Sequence, residues 1–258
     1  MDLSQKKAKK LIEEAKNIYI LPSKDKQPET ILSSLALFYT LKKLNKNVNL
    51  IVEEFPQEFQ FLISSLNFIS HPKNFVISIP NSKAKISQIR YEKNQEDLKI
   101  HLTLDKGNIK KNDISFCFNN PKPDLLITVG VKNLNYVKEL YQENPISDFP
   151  ILNINNQTGN KNFGQVNLID TTSSLTEITT SFVKSIDNNL IDKNIATCLL
   201  TGVILSSENF QHQNTSTETF ETAAFLIKKE ASHQQIIDHL YKTTLLPQIK
   251  FLGKTHKI

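Results

Sequence analysis

Apolar residues fall along this chain in two rhythms. From Leu3 to Lys16, Leu11, Ile12 and Ala15 gather on one side among lysines, which predicts an amphipathic helix ending before the short apolar run Ile18 to Leu21. That run reads as a strand. After the polar loop PSKDKQPE comes TILSSLALFYTLKKLN, where Ile31, Leu35, Phe38 and Leu41 or Tyr39 recur at helical spacing, and then the apolar run VNLIV. Strand, loop, helix, strand makes a βαβ unit, whose crossover helix brings the second strand back parallel to the first.

The rhythm changes between Phe75 and Phe118. FVISI, ISQIRYE, LKIHLTL and ISFCF are short alternating or β-branched runs separated by NSK, KNQED and KGNIKKND, the pattern of an antiparallel meander. Pro121 and Pro123 punctuate the return to a buried strand, DLLITVGV, followed by a helix around Asn133 to Glu143 and another strand, PILNI. From Leu175 onward LTEITTSFVKSID, NIATCLLTGVILS, ETFETAAFLIKK and SHQQIIDHLYKT read as helices, each after a turn-forming Asn, Asp, Ser or Thr. The expected fold is α/β: a parallel core sheet of Ile18 to Leu21, Val48 to Val52, Leu125 to Val129 and Ile151 to Ile154, with helices on both faces. It carries a mostly helical C-terminal part and an antiparallel β meander inserted at about 75–118. No repeat or low-complexity linker interrupts it, so residues 1–258 are expected to form a single domain.

Bulk composition narrows the function classes. With 258 residues, 39% hydrophobic and 22% charged, the chain is long enough to bury a sizeable core. A net charge of +5 permits contact with polyanions, but the 31 Lys and Arg are mostly Lys and are dispersed, not clustered as a nucleic-acid footprint. Cys117 and Cys198 lie in unrelated segments without C-x-x-C spacing, so they read as buried free thiols of a reducing compartment. No stretch reaches the roughly 18 to 20 apolar residues of a membrane span, and the N-terminal run is charged throughout, so a cytoplasmic protein without membrane contact is expected. Heavy use of Asn, Lys and Ile fits an AT-rich, bacterial-like coding sequence.

Four segments, in order, carry a resemblance. They are SKDKQPETILSSLALFYTLKKLNKNV, DLLITVGV, ILNINNQTGNKNFGQVNLIDTTSSLTEI and LLTGVILSSENFQHQNTSTETF. Their order and spacing resemble the DHH (RecJ-like) phosphoesterase family, which includes RecJ nucleases, oligoribonucleases, pAp phosphatases and cyclic-dinucleotide phosphodiesterases. The matches span most of Ile18 to Phe225, and NFGQVNLIDTTSSLTEI and LLTGVILSSENF are their most specific parts. The β insertion has no counterpart among the family motifs. The resemblance implies manganese-dependent hydrolysis, in which two metal ions activate a bridging water and clamp the phosphate oxygens.

Carried over residue by residue, the first-motif His of the family falls on Ser23 and its two Asp positions on Gln27 and Glu29. The second-motif Asp falls on Gly130, the Asp-His-His triplet on Asn155, Asn156 and Gln157, and the fourth-motif Asp on Ser206. Glu29 alone keeps a carboxylate; Asp25 and Glu208 are acidic residues nearby in sequence. Amides and hydroxyls are poor ligands for hard dications. The expectation is therefore a degenerate phosphoesterase-family domain without metal, cofactor or hydrolysis, acting as an interaction or structural module. A protein partner at the β insertion, or weak contact with a nucleotide or nucleic acid, are the partnerships it leaves open.

Rival readings rest on other residues. An active phosphoesterase on short oligonucleotides, pAp or cyclic dinucleotides would need Asp25, Glu29 and Glu208 in an unorthodox site, and a nucleic-acid binder would rely on the basic surface. The histidines His71, His101, His212, His233, His239 and His256 show no H-x-x-x-H or H-E-x-x-H spacing, and His212 alone falls near the mapped site. There is no G-x-S-x-G elbow, P-loop or G-x-G-x-x-G, and only 6 glycines. Active family members also carry a DHH-associated domain; its linker would begin at LLPQIKFLGKTHKI, so no such domain is expected within 1–258.

Overall fold

A computed structural model of the chain describes residues 2–25, 27–52, 55–63, 74–119, 123–140 and 149–242. Two compact units emerge, one made of Met1–His71 with Lys122–Ile258 and the other of Pro72–Pro121.

The first unit is built on a parallel sheet of β1 (Asn17–Pro22), β2 (Asn47–Leu50), β7 (Leu125–Val129), β8 (Ile151–Asn155) and β9 (Val166–Ile169), in the spatial order β2-β1-β7-β8-β9. All four strands expected from the apolar runs are present as parallel neighbours. The fifth, β9, lies in NFGQVNLID, which reads as a motif and not as a strand; with only Val166 and Leu168 buried, its alternation is too short to stand out.

Strand alternation divides the core. Ile18, Ile20, Leu125, Ile127, Val129, Leu152 and Ile154 face a large cluster with α1 (Leu3–Glu14), α2 (Pro28–Lys43), α4 (Leu175–Ile186) and α5 (Lys193–Ser206). Tyr19, Leu21, Leu126 and Ile151 face a smaller one with α3 (Leu134–Leu140). Helices thus cover both faces, unevenly. Residues 141–143 of the helix expected around Asn133 to Glu143 lie outside the described residues.

Local chemistry starts and holds these helices. Pro28 opens α2 where a missing N–H costs nothing, Glu29 sits in its first turn and Lys42 and Lys43 in its last, each complementing the helix dipole. The buried hydroxyls of Ser34 and Thr40 donate to the carbonyls of Thr30 and Ala36, so two of the polar residues inside α2 are satisfied within the helix, while the buried Ser33 hydroxyl has no hydrogen-bond partner. Ser174 and Glu177 form a capping box at α4, and the Asp192 carboxylate caps α5 by accepting from the Ile195 amide at 3.0 Å. α5 packs against α2 and α4, and α6 (Thr217–Lys228) and α7 (His233–Ile237) pack on it in turn. Gly202 permits the close approach of α5 to α4: a Cβ there would stand 2.1 Å from the Thr176 methyl group. No helix among the described residues is long and apolar enough to cross a membrane.

The second unit is antiparallel, as the alternating runs predict, but its pairing is nested where a meander would be sequential. β4 (Ala84–Lys93) and β5 (Leu98–Gly107) form a hairpin, and β3 (Asn74–Ser78) pairs with β6 (Ser115–Asn119) in a separate two-stranded sheet. Pro80, followed by a turn, breaks the path from β3 to β4, and a 3-10 turn at Lys111–Asp113 precedes β6. Within the hairpin the Asn94 side chain accepts from the Glu96 and Asp97 amides at 2.9 and 2.7 Å, fixing the turn. Cys198 is fully buried, and burial pushes its thiol well above the usual range; the Cys117 side chain lies outside those described.

Candidate functional site

In an open parallel sheet the chain leaves neighbouring strands in opposite directions at one point, and a crevice opens there beyond the C-terminal strand ends. Here that point lies between β1 and β7. A cavity of about 720 Å³ occupies it, lined by Ser23, Lys24 and Asp25 after β1, Gly130 to Asn133 after β7, Tyr136 of α3, and Asn156 to Thr158 after β8. Beside it a smaller cavity of about 180 Å³ is lined mainly by hydroxyls and amides, among them Glu29, Asn156, Ser174, Glu177, Ser206 and His212.

Most of the sequence-marked positions come together at these cavities. Ser23, Asp25, Gly130, Asn156 and Gln157 line the larger one, and Glu29, Asn156 and Ser206 the smaller, with Asn156 shared between them. Gln27 is exposed at the N-cap of α2 with no side-chain capping bond, Asn155 is buried beneath the loop, and Glu208 is exposed after α5 with φ of 49°. None of these three lines either cavity. His212 joins the smaller cavity, and its Nδ1 accepts from the Asn214 amide at 3.2 Å, which leaves any proton of the neutral ring on Nε2. His101 lies in β5, and His233 and His239 in the C-terminal helical turns; His71 and His256 lie outside the described residues.

What each group does is decided by its bonds. Glu29 accepts from the Leu175 amide at 2.9 Å through Oε2 and from the Asn156 amide nitrogen at 3.3 Å through Oε1. It thereby satisfies a free N–H at the start of α4 and ties α2, α4 and the loop after β8 to one carboxylate. Asp25 accepts from the Ser23 hydroxyl. Gly130 has φ of +67°, and a Cβ on it would stand 2.8 Å from the Thr30 hydroxyl and 3.1 Å from a Leu175 methyl. No side chain fits there without displacing its neighbours.

An amide network holds the β8 loop. Asn155 donates to the Val131 carbonyl at 2.8 Å and its side-chain oxygen accepts from the Gln157 amide at 2.7 Å. One residue pair earlier, Thr128 donates to Asn153, which donates to Asn160 at 2.9 Å and Asn167 at 3.1 Å, and Asn160 reaches the Val131 carbonyl at 3.1 Å. At the end of β9, hydrogen bonds led by that from the Thr172 hydroxyl hold the Asp170 carboxyl below the usual carboxylate range, against its partial burial.

A manganese pair needs several anionic or imidazole donors around one point. Among the described residues no group of three His, Cys, Asp or Glu side chains stands where it could hold a metal ion. Asp25, Glu29 and Glu208 do not converge on a common cavity. The donors that do converge are mostly neutral amides and hydroxyls; the carboxylates are divided, Asp25 at the larger cavity and Glu29 and Glu177 at the smaller, where both already accept from backbone amides, and this set does not fit two dications. The sequence motifs gave no warning of Lys24, Lys132, Asn133 and Tyr136; the signal available was their position just past the ends of β1 and β7.

No protein-family model matches the chain, and no curated protein is similar to it in sequence. Among solved structures it is similar to the crystal structure of an exopolyphosphatase-related protein from Bacteroides fragilis, at 17% identity and a TM-score of 0.67. The match covers 93% of this chain and 60% of that one, so this chain spans less than two thirds of that protein's length. The likeness establishes that this chain shares the α/β fold of that protein.

Proposed function

We propose that this chain is a degenerate member of the DHH (RecJ-like) phosphoesterases, a single domain with a β insertion, which has kept the fold and lost hydrolysis and serves as a binding module. The observation that carries this reading is Glu29. It is the one carboxylate left at a marked position, and both its oxygens bond to protein, to the Leu175 amide and to Asn156. A carboxylate used as a structural clamp, facing amides where ligating groups would stand, leaves nothing to stabilise a metal-bound hydroxide at neutral pH.

The crevice remains. The larger cavity carries Lys24, which pairs with Glu139 at 3.8 Å, and Lys132, with Asp25 as the carboxylate of its lining, Asn133, Asn156 and Gln157 as neutral hydrogen-bonding groups and Tyr136 as an aromatic wall. The ammonium groups and side-chain amides can meet an anion directly, where a metal centre would require clustered carboxylates. A phosphate-bearing nucleotide fits both the charge and the ring, and a binding role without turnover follows.

The test pairs two measurements on the full chain. Hydrolysis of pAp, a cyclic dinucleotide, a short oligonucleotide and inorganic polyphosphate is assayed with added manganese, and binding of the same compounds is measured in the presence of a chelator. We expect no turnover and metal-independent binding. Uncatalysed phosphodiester cleavage is so slow that even a poor centre would register. Manganese-dependent turnover abolished by Glu29→Ala would overturn the reading and favour an active phosphoesterase.

A further inference from the structure

The β4–β5 hairpin has two unlike sides. Residues opposed across an antiparallel pair share a side, as do alternate residues of one strand. The register opposes Ile89 to Leu102, Tyr91 to Ile100 and Lys93 to Leu98, so Ile89, Tyr91, Leu98, Ile100 and Leu102 form a largely apolar side, with Lys93 at its turn end. The other side pairs Gln88 with Thr103, Arg90 with His101 and Glu92 with Lys99, and there Glu92 meets Arg90 at 3.2 Å and His101 at 3.6 Å. The polar side is internally satisfied. The apolar side is bare: Ile89 is 67% exposed, Tyr91 74%, Leu98 58% and Ile100 47%.

A two-stranded ribbon is marginal in water by itself, and exposing its apolar side forgoes the burial that would stabilise it. We propose that this side is the contact of a symmetric dimer, in which the apolar faces of two hairpins from two copies of this chain pack together as a small β-sandwich about a twofold axis. The area argues for a second copy. The exposed residues of this side present roughly 500 Å² per hairpin, so complete burial of both copies would remove up to about 1,000 Å² from water, the lower bound of a specific interface. The central Tyr91 and Ile100 pair supplies the aromatic anchor such interfaces favour. A single patch serves both partners, which is what a closed twofold assembly requires.

The dimer is independent of the crevice reading, since hairpin and crevice share no residue. Its test is sedimentation of the full chain across a wide concentration range, together with cross-linking. The wild type is expected to sediment as a dimer that dissociates on dilution, and the double variant Tyr91→Glu, Ile100→Glu as a monomer with an unchanged core melting temperature. In a Cys117→Ser background, Tyr91→Cys is expected to oxidise to a covalent dimer and Arg90→Cys, on the polar side, to remain monomeric. The cross-link needs no disruptive substitution, so the dimer stays testable if the double variant misfolds. A wild type monomeric at every concentration, a dimer that survives the double variant, or equal cross-linking of Arg90→Cys and Tyr91→Cys would overturn the proposal.

Discussion

Glu29 is a single carboxylate with two unrelated partners, the Leu175 amide and the Asn156 side chain, drawn from the start of α4 and the loop after β8. Truncating it leaves both donors unpaired in a half-buried place. Glu29→Ala should therefore lower unfolding stability by about 1–3 kcal/mol, read from urea titration. A catalytic Glu29 would show the reverse pattern, lost turnover with stability kept. Gly130→Asp asks the complementary question by restoring a carboxylate to a marked position. With φ at +67° and Thr30 and Leu175 against the missing Cβ, the substitution should cost about 1–3 kcal/mol or more and restore no manganese-dependent hydrolysis, checked by melting temperature and the same phosphodiester assay.

Elements show where backbone chemistry holds the sheet. At the start of β1 the Asp124 carboxylate accepts from the Asn17 amide at 2.8 Å and the Lys16 amide at 3.0 Å, joining the entries of β1 and β7. The Asn17 amide above all holds its carboxyl below the usual range, partial burial opposing. A folded-state pKa lower than the unfolded one means the carboxylate stabilises the fold above the ordinary carboxylate range, and that contribution disappears as pH falls through the folded value. Urea midpoints of wild type and Asp124→Asn should thus differ near neutrality and converge in acid. Gly202 belongs to the same scale. The glycine of LLTGV serves the packing of α5 on Thr176 of α4, and Gly202→Ala should destabilise by about 1–3 kcal/mol through overpacking, visible in thermal melts.

For the whole molecule, the division into a unit of Met1–His71 with Lys122–Ile258 and a unit of Pro72–Pro121 makes the insertion separable. Replacing Ile86 to Leu104 by a short turn should leave the far-UV circular dichroism of the parallel core and its cooperative melt in place, and should abolish self-association. Loss of soluble expression would show that the hairpin is part of the core's own folding.

The sequence by itself determined what depends on local periodicity. Runs such as Ile18 to Leu21 and Leu125 to Val129 are apolar on every residue but Thr128 because both faces of a parallel strand are covered, and the helical spacing of Ile31, Leu35 and Phe38 is set by the same local geometry. The absence of ligating residue types at Gln27, Gly130, Asn155, Asn156, Gln157 and Ser206 was likewise readable from identity alone. Tertiary structure decided the rest, since partners far apart in sequence are invisible to any local window. It made Glu29 a clamp by bringing Leu175 and Asn156 to it, closed the space at Gly130 with Thr30, and recruited VNLI as a fifth strand beside β8. It also nested β3 with β6 around a hairpin, because strand pairing is fixed by which edges meet in space, and alternation along the chain marks only the faces.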